Sequence, residues 1–170
     1  MTLRRVGAVV SGLMLAVAGV VSAPTASAAT GVEIRNKHSG WCLGIQGGSK
    51  DWGAMAIQWD CNGNDDQKWR YEALGNGYYR LHNVGSNLCL GIRGGSWDRG
   101  ADVIQWECNG NGDQMWYMPD GGAYYPMMSA NNRANGGAID LCMSIGGGRT
   151  DWGAKAIVWD CNGADDQTWS

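Results

Sequence analysis

From Ala54 to Trp69 the chain reads AMAIQWDCNGNDDQKW: an apolar stretch, then Trp-acid-Cys-Asn-Gly, then Asp-Gln-x-Trp. The same order of apolar and polar positions returns at residues 101–116 (ADVIQWECNGNGDQMW) and 154–169 (AKAIVWDCNGADDQTW). Each copy is preceded by a Gly-rich loop: GIQGGSKDWGA, GIRGGSWDRGA or SIGGGRTDWGA. Before each loop come a Cys and a short strand-like run: VEIRN, YYRLHN or YYPMMS. Short β-branched and aromatic runs between Gly, Asn and Asp clusters predict strands joined by tight turns. No stretch beyond residue 28 sustains a helical period, so the predicted class is all-β. Glycine, at 28 of 170 residues, suits many tight turns and disfavours long helices.

The repeat is in register throughout. Cys42 to Cys89 and Gln67 to Gln114 are both 47 residues, and Cys89 to Cys142 and Gln114 to Gln167 are both 53. The extra residues of the third copy fall in SANNRANGGAID, a polar segment that reads as a surface loop. Three copies are too few for a propeller or solenoid. Closed around a threefold axis, however, they leave no sheet edge exposed. A closed barrel with a hairpin cap is expected, because one copy cannot bury its own apolar face and three can share a core.

Residues 1–28 read as a secretory signal peptide. Arg4 and Arg5 precede an apolar run from Val6 to Val21, and Ala26-Ser27-Ala28 fits a small-residue cleavage site. That run is short of the roughly 20 apolar residues a membrane span needs. The mature protein, residues 29–170, is expected to be one extracellular domain. Its lobes lie approximately at 30–76, 77–119 and 120–170.

Export sets the chemistry of the six cysteines. Cys42 and Cys61, Cys89 and Cys108, and Cys142 and Cys161 are each 19 apart, and an even count in an exported chain favours disulfides. Of the possible pairings, the one within each repeat is the simplest. Without Arg4 and Arg5 of the leader, the formal net charge of −3 becomes −5. An acidic chain lacking a basic cluster is a poor nucleic-acid binder, and no basic amphipathic helix suggests a membrane surface. No metal and no cofactor is expected. DCNGNDD begins like a calcium loop, but Tyr71 stands where its bidentate Glu belongs. No catalytic set is legible either. His38 and His82 do not recur across the repeats, and Asp65-Asp66 and Asp165-Asp166 are adjacent turn residues rather than a flanking acid/base pair. The protein is expected not to be an enzyme.

The three Gln-x-Trp motifs (Gln67-Lys68-Trp69, Gln114-Met115-Trp116, Gln167-Thr168-Trp169), each after a cysteine pair, resemble the ricin-B-type lectins and the similar family 13 carbohydrate-binding modules. The resemblance implies a β-trefoil of three repeated lobes with pseudo-threefold symmetry, in which each Gln-x-Trp is core. It also implies a shallow sugar site in each lobe. The family aromatic maps to Trp59, Trp106 and Trp159, and the family Asn to Asp66, Asp113 and Asp166. The family Gln position holds Ile57, Ile104 and Ile157, and the family Asp position holds Gly44, Gly91 and Ser144. Simple galactose is therefore expected to bind weakly, and Gly44→Asp to improve it.

Trp52 and Trp152, in the Gly-rich loops, are candidates for stacking on sugar faces or for folding over their own disulfides. Trp97 is displaced by two positions and Gly112 replaces an Asp, so the middle lobe is expected to be the weaker one. The partner implied is a polysaccharide or glycan, bound by a monomer. The alternative is a trefoil acting through protein contacts, such as a secreted protease inhibitor, with SANNRANGGAID as its only candidate loop. With Trp169 followed only by Ser170, the closing strand is expected to be weak.

Overall fold

The computed structural model describes residues 30–119, 123–131 and 140–170. The proposed leader, and residues 132–139 of the candidate inhibitory loop, lie outside them. Each repeat contributes an outer pair of strands to a barrel and an inner hairpin to its cap. The barrel strands are β1 (Val32–Glu33), β4 (Lys68–Gly75), β5 (Tyr78–Asn83), β8 (Trp116–Tyr117), β9 (Tyr125–Pro126), β10 (Met128–Ser129) and β13 (Thr168–Trp169). They pair antiparallel in the order β1–β4–β5–β8–β10, and β13 pairs with β9. Closure comes from the bridge between Asn36 and Trp169 and from reciprocal 3.0 Å bonds between Arg35 and Ser170. The seam is short, two residues of β13, and its bonds run to Ser170.

The cap consists of three hairpins: β2 (Cys42–Ile45) with β3 (Ala56–Trp59), β6 (Cys89–Ile92) with β7 (Val103–Trp106), and β11 (Leu141–Ile145) with β12 (Ala156–Asp160). Bridges from Met55 to Ile104, Asp102 to Ile157 and Ile57 to Lys155 tie each hairpin to the next in a closed triangle. Among the described residues, each cap strand has a hairpin partner on one side and a bridge or strand partner on the other.

The core repeats in threes, as a shared core requires. Ile34, Leu81 and Met127 line the barrel, Leu43, Leu90 and Met143 lie in the hairpins, and all are fully buried. Trp69, Trp116 and Trp169 are also at 0% exposure, and their indole N–H groups donate to the carbonyls of Leu43, Leu90 and Met143 at 2.9, 3.1 and 3.0 Å. A buried indole needs such an acceptor. The Gln of each motif closes the turn before it. The Gln67 amide donates to Asp60 O and accepts from Asn62 N, and Gln114 and Gln167 repeat both bonds. Disulfides join Cys42–Cys61, Cys89–Cys108 and Cys142–Cys161. Each closes a loop worth about 3 kcal/mol in the chain-entropy model.

Candidate functional site

The hairpins and turns of each repeat enclose one shallow cleft. In the first, Gly44 and Ile57 form the floor, Trp59 one wall, and Asn62, Asn64 and Asp66 the other, in a space of 460 Å³. The second is built from Gly91, Ile104, Trp106, Asn109, Asn111 and Asp113 and measures 370 Å³. The third uses Ser144, Ile157, Trp159, Asn162 and Asp166 and measures 350 Å³. These volumes are at the lower end of the roughly 300–1,000 Å³ of small-molecule sites. The clefts thus collect the six residues that the family resemblance implied: three indoles and three carboxylates.

Local sequence explains the shape. After β2 the chain makes a 3-10 turn, with Gly47 at φ 65° and Gly48 at φ 62°, and the second and third repeats do the same with Gly94-Gly95 and Gly147-Gly148. Left-handed backbone of this kind favours glycine. On the opposite wall, the Asn62 side chain accepts from Asn64 N, fixing the Cys-Asn-Gly turn. The following 3-10 turn, Asp65–Gln67, lays Asp66 over β2. Strand alternation then sends Trp59 outward, 41% exposed, and Gln58 inward.

The missing family aspartate has a steric counterpart. A Cβ on Gly44 would meet Gln67 Cγ at 2.8 Å and Asp66 Oδ2 at 3.3 Å, and at Gly91 the distances to Gln114 and Asp113 are 2.9 and 3.3 Å. The carboxylates of Asp66 and Asp113 therefore lie against the space that a side chain on β2 or β6 would fill. Gly44→Asp would bring a second carboxylate onto the first, and Gln67 would have to shift to admit it. In the third cleft Ser144 occupies this place, and its hydroxyl donates to Asp166 Oδ2 at 2.5 Å. One acceptor oxygen there is already engaged.

Burial pushes the carboxyl groups of Asp66 and Asp113 above the usual aspartate range, and neighbouring Asp65 adds to the effect at Asp66. Asp65 and Asp165 themselves make surface ion pairs, with Lys68 at 3.1 Å and Lys37 at 2.7 Å. Gly112, which replaces them in the middle repeat, lies against Asn131 instead. Its substitution leaves the second cleft intact.

The loop tryptophans do not serve their own repeats, nor do they fold over their own disulfides. Gly53 N donates to Gln105 O at 2.8 Å and Gln105 N to Ala54 O at 2.9 Å, which carries Trp52 to the second cleft. There its ring lies 5.5 Å from that of Trp106, the planes inclined at 50°. The third repeat does the same to the first. Gly153 N donates to Gln58 O, Gln58 N to Ala154 O, and Trp152 packs 5.5 Å from Trp59. Trp41 braces Trp152 edge-on at 5.7 Å and donates to Thr150 O. The second repeat reaches the third by the bonds Gly100 N to Val158 O and Val158 N to Ala101 O. At the Trp52 position it carries Arg99, paired with Asp160 at 2.6 Å. The first and second clefts thus have two indoles each, and the third has one.

Two residues in this arrangement escaped the sequence reading. Gln58 and Gln105 are at 0% exposure. The Gln58 amide donates to the carbonyls of Arg149 and Asp151 at 2.9 Å, and accepts from Ser39 Oγ at 2.7 Å. Gln105 makes the same bonds to Ser49, Asp51 and Ser86. Each clamps the loop that bears the neighbour's tryptophan. The available signal was an amide at the inward position of an alternating strand; Val158 replaces it in the third repeat.

Among the described residues, two side-chain groups have metal-like composition: His82 with Cys89 and Cys108, and Glu33 with Cys42 and Cys61. Both contain a disulfide, whose sulfurs offer no thiolate. His82 instead meets the Glu72 carboxylate at 2.8 Å through Nε2.

Residues 30–169 match the model of the ricin-type β-trefoil lectin domain, and the chain belongs to that family. Among solved structures it is similar to ThreeFoil, a designed threefold-symmetric protein. The identity is 31% and the TM-score 0.74, over 81% of this chain and 94% of that one. It is also similar to an exo-β-1,3-galactanase from Clostridium thermocellum at 29% identity and TM-score 0.76. That match covers 84% of this chain and 30% of the enzyme's. A Macrolepiota procera ricin B-like lectin in complex with lactose shares the fold at 18% identity, TM-score 0.65, over 87% of this chain and 97% of that one. No curated protein sequence matches the chain.

Proposed function

We propose that the protein is a secreted, non-enzymatic lectin that binds polysaccharides or clustered glycans as a monomer. The observation that carries this reading is the recurrence, in all three clefts, of an exposed indole facing a half-buried carboxylate. The apolar face of a pyranose stacks on Trp59, Trp106 or Trp159, while Asp66, Asp113 or Asp166 accepts hydrogen bonds from its hydroxyls. Ile57, Ile104 and Ile157 give the floor an apolar character where the family uses an amide.

Several weak clefts on one rigid body suit a polymer better than a single sugar. Avidity raises apparent affinity by about 10²-fold or more without new contacts. The three disulfides and the predicted leader support an oxidising, extracellular setting. The lectin and galactanase neighbours support a carbohydrate partner. The chain-specific test is a glycan array and polysaccharide retention assay on purified residues 29–170. Binding to a neutral polysaccharide such as xylan or β-1,3-galactan is expected. Failure to bind any glycan, together with inhibition of a protease panel, would move the function to protein contacts.

A further inference from the structure

We propose that the first and second clefts each hold two consecutive sugars of a neutral chain, and that the outer sugar lies on an indole donated by the neighbouring repeat. The proposal rests on the carbohydrate reading above and specifies its ligand. Trp152 and Trp52 are 53% and 56% exposed, more than the cleft indoles Trp59 and Trp106 at 41% and 40%. Large exposed indoles on a small domain call for a partner, since most Trp surface is usually buried. These two are also held still. The Gln58 and Gln105 amides bind the loop carbonyls on either side, and the backbone bonds at Gly153 and Gly53 fix the loop tips.

The position is that of a second subsite. Gly153 lines the first cleft, and a Cβ on it would lie 3.5 Å from Trp59 Cζ3. The residue just before it, Trp152, therefore stands beyond the rim rather than inside the pocket. Its ring centre is 5.5 Å from that of Trp59 with the planes inclined at 40°. The two indoles therefore form one continuous aromatic surface that runs from the cleft to beyond its rim. Rigid placement matters because a preorganised surface binds without an ordering cost. An uncharged outer platform beside the Asp66 carboxylate favours neutral over uronate chains at the first cleft; at the second, Arg93 also lines the cleft but is paired with Asp102 at 3.3 Å, beside the Asp113 carboxylate.

The third cleft is the internal contrast. Arg99, tied to Asp160, stands where the outer indole would be, and Val158 replaces the clamping amide. It holds one sugar.

The test compares chain length at each cleft. Xylo-oligosaccharides and β-1,3-galacto-oligosaccharides of one to four units are titrated into the mature protein. Indole N–H resonances of Trp59, Trp106 and Trp159 report the clefts separately. In the parent, the first two clefts gain about five- to tenfold in affinity from one unit to two, in line with one added stacking contact, and the third gains nothing. Trp152→Ala removes the length dependence at the first cleft and leaves it at the second. Arg99→Trp introduces it at the third. If the parent clefts bind one and two units equally, or Trp152→Ala keeps the length dependence at the first cleft, the second subsite is refuted while the lectin reading stands. If no sugar of any length binds in either series, both are refuted.

Discussion

The indole of Trp152, in the third repeat, packs on that of Trp59, in the first, with ring centres 5.5 Å apart. Trp52 and Trp106 repeat the contact between the first and second repeats. A site that a single repeat encodes is thus completed by its neighbour, and the cap triangle that closes the fold also assembles the clefts.

Removing the clamp should separate these roles. Gln58→Ala leaves the carbonyls of Arg149 and Asp151 without their donor, a loss of about 0.5–1.5 kcal/mol for each part-buried bond. Urea unfolding should register it. Faster amide exchange at Gly153 should show the loop loosening before the barrel does.

Asp66 should give an unusual pH signature. Burial holds its folded-state pKa above the unfolded value, so the folded protein binds the proton more tightly. The stability this contributes is full below the unfolded pKa and is lost as pH rises through the folded one. At pH 7 the ionised carboxylate is therefore a cost, and Asp66→Asn should melt no lower than the parent, with any advantage vanishing in acid. Glycan binding to the first cleft should fall in the variant. In the parent, it should weaken on acidification with a midpoint above the ordinary aspartate range. Thermal melts and binding isotherms across pH 3–7 check both halves; a lower melting temperature for Asp66→Asn at pH 7 contradicts the assignment.

The place of Gly44 beneath Asp66 gives a third expectation. Gly44→Asp should destabilise by about 1–3 kcal/mol through overpacking against Gln67, without creating galactose affinity. Gly44→Ser should be milder. It reproduces the third repeat, where the hydroxyl engages the carboxylate, and should weaken sugar binding in the first cleft with the fold intact. Calorimetry with monosaccharides reads the difference.

Local features were the legible ones. The Gln-x-Trp motifs and the cysteine pairs recur at fixed spacing, and the family resemblance they carry marked the indole and carboxylate of each cleft without any knowledge of contacts. What crosses between repeats was not legible. Trp52 and Trp152 were seen as loop tryptophans, but which cleft they serve depends on how three hairpins interlock, which no single repeat records. For the same reason Trp97 drew attention to the middle cleft, whereas the residue aligned with Trp52 is Arg99, which lies at the third. The role of Gln58 follows only from the inward face of β3 and the loop that lands on it.

The most direct measurement is retention of the Trp59→Ala/Trp106→Ala protein on insoluble xylan and β-1,3-galactan, beside the parent. Both side chains are exposed, so circular dichroism and the melting temperature should match the parent's. The account predicts that the folded double variant runs through unretained on any polysaccharide that holds the parent. Equal retention of the two proteins would contradict it.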